Sequence, residues 1–332
     1  MGERTLRAGG FRLTVQVPDG LTSKLRGVIG RRRRTAPLVP SGGVRSGGQL
    51  EIRPVPAVRF ERRDPDHALA FVRGRIACRA YSPQGQAEVE DGPEALARLV
   101  EGRPWYHTIE LPHGIVTQGA YDHRALVPHY GIPSDLRGKR VLDLASADGF
   151  WAFEFERRGA EVTALDIETT ADVDLPLPVR QRAAELGLSD PITDGFKLSK
   201  RALKSGVEHL TGTIYDLDPA RLGQFDLVHT GDVLLHLRDP LGALEQIRRV
   251  TRGEALLSDV FDPRLTSTPG GEGLPAMYLG GGNAAWWRPG LVTLVQMVAD
   301  SGFSDVEVVT TYNLVAWGQD EGPWRAVLRA KP

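Results

Sequence analysis

The chain has 332 residues, 41% hydrophobic and 25% charged, with 38 Gly, 23 Pro and one cysteine, a make-up that suits two domains and excludes wholesale disorder. No apolar run reaches the roughly 18–20 residues that cross a bilayer and MGERTLRAGG has no apolar signal core, so no membrane partner is expected. Cys78 alone excludes an internal disulfide and a cysteine-based zinc site and fits a cytoplasmic location. The net charge of −1 hides an asymmetry: residues 1–80 hold 17 Lys/Arg against 6 Asp/Glu, a surplus of 11 positive charges that leaves −12 on the remainder.

In chain order, FRLTVQV (11–17) alternates apolar and polar residues as a strand does. Residues 18–48 hold the run Arg31–Arg34, Pro37, Pro40 and Gly42, Gly43, Gly47 and Gly48, and read as a loop or linker. Alternation returns at 49–53, 57–62 and 69–81, and a short helix is expected over 93–101. The first 90 residues therefore read as a β-rich extension. From Lys139 the texture changes. Strands are expected at 139–146, 161–167, near 207–214, at 225–231, 255–261, 305–312 and 324–330. Helices are expected at 149–158, 176–187, 240–250 and 289–301. Strands spaced by helices imply βαβ units and a doubly wound, mainly parallel α/β sheet, with ligands beyond the carboxyl ends of its strands.

At Val141-Leu-Asp-Leu-Ala-Ser-Ala-Asp-Gly-Phe150 an apolar strand carries an acid, then a small-residue turn and a helix start. Small residues let a ligand approach the backbone, and the helix start offers N–H groups. Asp166 closes the next strand, 23 residues after Asp143, where a carboxylate can accept both hydroxyls of a ribose. A nicotinamide-dinucleotide fold would carry G-x-G-x-x-G here, and this turn does not. An acid inside the strand suits a ligand with an ammonium group instead.

The segment resembles the first motif of class I S-adenosylmethionine-dependent methyltransferases, D-x-G-x-G-x-G: Asp143 and Gly149 match, while Ala145 and Ala147 replace two glycines. The order of Gly212-Thr-Ile-Tyr-Asp-Leu217, Phe225–Asp232 and Val233–Pro240 extends the likeness over roughly residues 93–332. It implies a Rossmann-like seven-stranded sheet in a domain 91–332 after the extension 1–90, with S-adenosyl-L-methionine as cofactor. It places Asp143, Ala145, Ser146 and Gly149 at the methionine end, Asp166 at the ribose and Ile214 and Tyr215 at the adenine. Thr230, ending the fourth strand, completes the cofactor set.

Within that superfamily, Pro104-Trp-Tyr-His107 with Gly114-Ile-Val-Thr117, Val233–Pro240 and Asn283–Pro289 resemble the tRNA wobble-uridine carboxymethyltransferases and their small-molecule relatives. The tRNA enzymes hold an extra carboxylate on the cofactor with a Lys and a Tyr, and the matching positions here are His107 and Leu235. Leucine gives no hydrogen bond and an ordinary imidazole is mostly neutral at pH 7, so methyl rather than carboxymethyl transfer is expected. Residues 1–58 contain one aromatic, Phe11, which fits poorly with stacking on unpaired bases. A small-molecule acceptor, aromatic or heteroaromatic and of a biosynthetic pathway, is therefore expected, with tRNA as the alternative. The extension would then be a lid or a homodimer surface.

The candidate chemistry falls in three stretches. His107, His113, His123 and His129 have spacings of 6, 10 and 6, which match no helical metal-ligand pair, so no metal is expected. The segment 105–124 would act as a lid, bringing Tyr106, Gln118, Tyr121 and His123 to the acceptor and His107 as a catalytic residue; aromatic packing on the sheet is the competing reading. His236 is either the general base or a histidine at a helix start, and Asp232 would orient it. Trp286, Trp287 and Arg288, in a Gly-rich stretch, would form a substrate flap, with at least one tryptophan in the core. Lys197, Lys200, Arg201 and Lys204 share a helical face, which reads as solvated or as a site for an anionic substrate.

Overall fold

The computed structural model describes residues 2–8, 11–17, 92–266, 273–281 and 284–332. The chain divides into two compact units, Met1–Arg62 and Arg63–Pro332. In the first, β1 (Gly2–Ala8) pairs antiparallel with β2 (Phe11–Val17). The alternation of FRLTVQV foretells β2. β1, the less regular GERTLRA, becomes a strand by pairing with it. The Arg31–Arg34 run, the strands expected between 49 and 81 and the domain boundary near residue 90 lie outside the described residues.

The described part of the second unit opens with α1 (Pro93–Glu101), which has proline in its first turn where a missing N–H costs nothing. Two three-residue strands follow, β3 (Trp105–His107) and β4 (Gly119–Tyr121), paired in parallel. The segment 105–124 is therefore extended chain and 3-10 turns. Then come β5 (Arg140–Leu144), α2 (Phe150–Arg157), β6 (Glu161–Asp166), α3 (Leu177–Glu185) and α4 (Asp194–Leu203). They lead to β7 (Glu208–Thr211), the one-turn α5 (Pro219–Leu222), β8 (Phe225–Gly231), α6 (Pro240–Val250) and β9 (Thr251–Phe261). A small hairpin of β10 (Ala276–Tyr278) and β11 (Trp287–Pro289) precedes α7 (Leu291–Asp300), β12 (Asp305–Asn313) and β13 (Trp324–Lys331).

The main sheet has seven strands in the order β12-β13-β9-β8-β5-β6-β7. β5 to β9 run parallel, and β13 is antiparallel to both β9 and β12, so the expected mainly parallel sheet is mixed at one side. Because strand side chains alternate, neighbouring residues feed two cores. Leu142, Leu144, Val228 and Leu257 pack with Leu244 and Ile247 of α6 and Val298 of α7. Val141, Val162, Leu227 and Leu256 pack with Trp151 and Phe155 of α2 and Phe196 of α4. The parallel strands put the carboxyl ends of β5, β6, β7, β8 and β9 along one edge, where the strand order turns back between β5 and β8. No helix among the described residues is long and apolar enough to cross a membrane.

Leu142 is fully buried in β5 between β6 and β8. Leu142→Ala should lower the unfolding free energy by roughly 2–5 kcal/mol in chemical denaturation, because the sheet cannot collapse into the cavity. A loss near zero would contradict this placement.

Candidate functional site

The turn after β5 is the tightest piece of backbone at this edge. Ala145 and Ala147 take the left-handed conformation at φ 56° and 50°, and Gly149 has φ 93°. Alanine resists such angles by roughly 1–2 kcal/mol per residue. The turn keeps a glycine-like path although two glycines are replaced. At Gly149 a side chain has no room, since a Cβ would stand 2.5 Å from the Phe153 ring.

The turn is held from three directions. Asp166, at the end of β6, accepts the Ala147 N–H on Oδ2 and the Ile167 N–H on Oδ1, each at 2.8 Å. Ser146, buried, donates its hydroxyl to the Asp143 carbonyl at 3.0 Å. Asp148 accepts two backbone N–H groups of β3 on Oδ2, Tyr106 at 2.6 Å and His107 at 3.0 Å. Asp143 is 1% exposed; its Oδ1 takes Nδ1–H of His229 at 2.6 Å, while Oδ2 has no hydrogen-bond partner among the described residues. Thr230 is fully buried on the other face of the sheet, its hydroxyl likewise unpartnered.

Beyond β7, Ile214 is buried and the Tyr215 hydroxyl donates to Asp174 at 2.9 Å and accepts the Asp239 N–H at 3.1 Å. Burial lifts this phenol to about 12. Tyr215 thus straps together the segments after β6, β7 and β8.

Asp232, just past β8, is the centre of the second half of the site. It sits at φ 54°, and both carboxylate oxygens meet Nε of Arg325, at 2.8 and 2.6 Å. Arg325 is 3% exposed on β13, its guanidinium 5.1 Å from the centre of the Tyr121 ring. Burial alone would lower its pKa, but the charge of Asp232 outweighs this and raises it. Tyr106 reaches the same carboxylate through its hydroxyl at 3.4 Å. Around this pair the rings of Tyr106, His107, Tyr121 and His123 form one cluster, with centroids 4.8–6.1 Å apart. Burial pushes His123 down to about 4, so it is neutral at pH 7. Gln118 lies exposed on the loop before β4.

The expected pairing of Asp232 with His236 is not formed. Arg325 and Tyr106 take the Asp232 carboxylate, and Nδ1 of His236 donates to the Ala284 carbonyl at 2.6 Å. Trp286 is buried, with its indole N–H on the Asp174 carbonyl at 2.6 Å. Trp287 is half-buried and bonds the Arg238 carbonyl at 3.1 Å, and Arg288 faces Asp262. Lys197 and Arg201 of α4 and Lys204 just past its end are exposed, and Lys200 is half-buried. Among the described residues no group of three or more His, Cys, Asp or Glu could hold a metal ion.

Sequence reasoning misses Arg325, Asp148, Tyr130 and His229. Arg325 had a signal: a charge one step into the apolar strand WRAVLRA, where burial demands a partner.

Asp259 on β9 is fully buried and caps the short turn after β8 through the N–H groups of Leu234 and Val260, each at 2.7 Å. Desolvation, aided by the charge of Asp232, raises its pKa from 3.8 to about 7. The folded state then holds the proton more tightly than the unfolded chain. Its contribution is complete below about pH 4 and is lost as the pH rises to about 7. The stability difference between wild type and Asp259→Asn should fall by on the order of a few kcal/mol over that window in stepped-pH denaturation. A flat difference would contradict the assignment.

A family model described as a methyltransferase domain matches residues 120–308, more than half of the chain. The tRNA U34 carboxymethyltransferase of Citrifermentans bemidjiense is 25% identical over 230 residues, covering 67% of this chain and 62% of the relative, so the match spans less than two thirds of that protein. The N-terminal domain of EvdMO1, crystallised with SAH and D-fucose, aligns at TM-score 0.45 and 18% identity over 75% of this chain and 99% of its own. Magnesium protoporphyrin IX methyltransferase from Synechocystis, with SAH bound, aligns at TM-score 0.35 and 16% identity over 62% of this chain and 78% of its own. The matched segment holds the β5 turn, Asp166 and Asp232, and the chain belongs to the methyltransferase-domain family, with the sheet of the class I S-adenosylmethionine-dependent methyltransferases.

Proposed function

We propose that the protein transfers a methyl group from S-adenosylmethionine to a small-molecule acceptor, an aromatic or heteroaromatic intermediate of a biosynthetic pathway. The observation that carries this reading is the enclosure of the polar groups beside the turn. Arg325, His107 and His123 are each at most 4% exposed, among aromatic rings. A nucleic-acid backbone needs exposed cations, whereas this buried, aromatic-walled setting suits a compact flat ligand.

The residues at the turn fit the cofactor. Asp143 Oδ2 is a buried acceptor suited to an ammonium group. Asp166, already fixed by two backbone N–H groups, is set to receive ribose hydroxyls. Ser146 and Gly149 shape the wall at the methionine end, and Ile214 and Tyr215 that at the adenine. Bound there, the sulfonium supplies an activated methyl for in-line displacement.

The chain's own task is alignment and proton removal. Tyr106, Tyr121 and the Asp232–Arg325 pair hold the acceptor. His236 donates from Nδ1 to Ala284, which puts its basic lone pair on Nε2, the nitrogen that would take a proton from an O–H or N–H nucleophile. Trp287 and Arg288 contribute the flap, with Trp286 as its buried anchor.

A second reading, carboxymethyl transfer to tRNA, draws on the name of the 25%-identical relative. Leu235 and the buried His107, at the positions matched to that family's Tyr and Lys, count against it.

Incubation with S-adenosylmethionine or its carboxylated form, followed by mass spectrometry of metabolite and tRNA pools, separates the two. The proposal expects a gain of one CH2 on a small molecule; a carboxymethyl gain on tRNA would overturn it. Asp166→Ala should weaken binding of the methyl donor about tenfold in calorimetry, through loss of charged hydrogen bonds. An unchanged dissociation constant removes Asp166 from the ribose. His236→Ala should lower kcat about a hundredfold with little change in donor affinity, and normal turnover rules it out as the base.

A further inference from the structure

The buried histidine of β8 is not absorbed by the catalytic reading. His229 is 1% exposed and stands directly beside Asp143 in the parallel register of β5 and β8. Its Nδ1 is 2.6 Å from Asp143 Oδ1, and its Nε2 is 2.9 Å from the hydroxyl of Tyr130, which is fully buried. Ser258 lies near the Tyr130 hydroxyl, and its own hydroxyl is 2.9 Å from that of Tyr312.

The direction of these bonds follows from donor counting. Asp143 Oδ1 accepts, so Nδ1 of His229 carries the proton and Nε2 must accept. The Tyr130 hydroxyl therefore donates to His229. Both donors, the Tyr130 hydroxyl and Nδ1–H of His229, point toward Asp143. Burial raises the pKa of Tyr130 well above 10, so it keeps its proton.

At the end of this chain Asp143 Oδ2 is buried and unpartnered among the described residues. Buried polar atoms are nearly always hydrogen-bonded, and an unmet acceptor costs roughly 1–3 kcal/mol. Such an atom, held by a fixed neighbour and next to the left-handed turn, is what a ligand cation would use.

We propose that His229 and Tyr130 are positioning residues for the methyl donor: they lock one oxygen of Asp143 so that the other faces the donor's α-ammonium group. This rests on the assignment of Asp143 to the methionine end.

The test compares S-adenosylhomocysteine with its desamino analogue, identical except that hydrogen replaces the α-amino group, by calorimetry on the full chain. Wild type should bind the amino compound about tenfold more tightly, the value of one charged hydrogen bond. Tyr130→Phe, which removes a single oxygen, and His229→Leu should each reduce that preference at least about threefold. His229→Asn, whose amide N–H can replace Nδ1–H, should retain more of it than His229→Leu. A general loss of stability would weaken both ligands alike and leave the ratio unchanged. An unchanged ratio in Tyr130→Phe therefore overturns the proposal, even where His229→Leu fails to fold. A wild-type ratio near one, or no binding of either compound, contradicts the placement of Asp143 itself and would show failure of the underlying reading.

Discussion

The carboxylate of Asp148 joins the two halves of the site. It belongs to the turn between β5 and α2, yet both N–H groups it accepts belong to β3. The wall that carries Tyr106 and His107 is thereby fixed to the turn proposed to hold the cofactor. From there Tyr106 reaches Asp232, and Asp232 reaches Arg325 on the far side of β9. The start of α4 is fitted to the same carboxylate: a Cβ at Gly195 would lie 2.2 Å from Asp148 Oδ1. One acid thus sets the spacing between the β5 turn, the β3 wall and a flanking helix.

The strain around that acid has a cost and a use. Ala145, Ala147 and Asp232 are all non-glycine residues at positive φ, and all lie at the carboxyl edge of the sheet. Residues in such conformations persist only where surrounding structure over-determines them, and they gather at functional sites. Here the determinants are visible. Asp166 holds the Ala147 N–H, the Leu165 carbonyl holds the Ala145 N–H, and the Ser258 carbonyl holds the Asp232 N–H at 2.9 Å. The two cores below supply the rigidity, since every central strand contributes alternate residues to each.

Much of this architecture was legible in the sequence because it depends on local periodicity. The strands and helices of the parallel sheet follow the apolar spacing of their own segments, and the acidic turn announces itself in ten residues. The elements that escaped are those whose stability is not local. β3 and β4 are three residues long and exist through Asp148 and each other; the antiparallel return of β13 shows in no spacing. The site divides in the same way. Asp143 and Asp166 are marked by their place at strand ends. The partners of Asp143 and Asp232 lie 86 and 93 residues further along the chain, so His229 and Arg325 become functional candidates only when the sheet brings them alongside. His236 was legible as a residue after the fourth strand, but its orienting group is a backbone carbonyl, which no side-chain pattern reveals.

Above all, the methyl donor is proposed to lie along the β5 turn with its sulfur toward the Asp232–Arg325 pair. A crystal structure with S-adenosylhomocysteine bound tests it directly. The account predicts the α-amino group on Asp143 Oδ2, the ribose hydroxyls on Asp166 and the thioether facing Tyr106 and Asp232. Ligand density away from the turn, or an amino group turned away from Asp143, would contradict it.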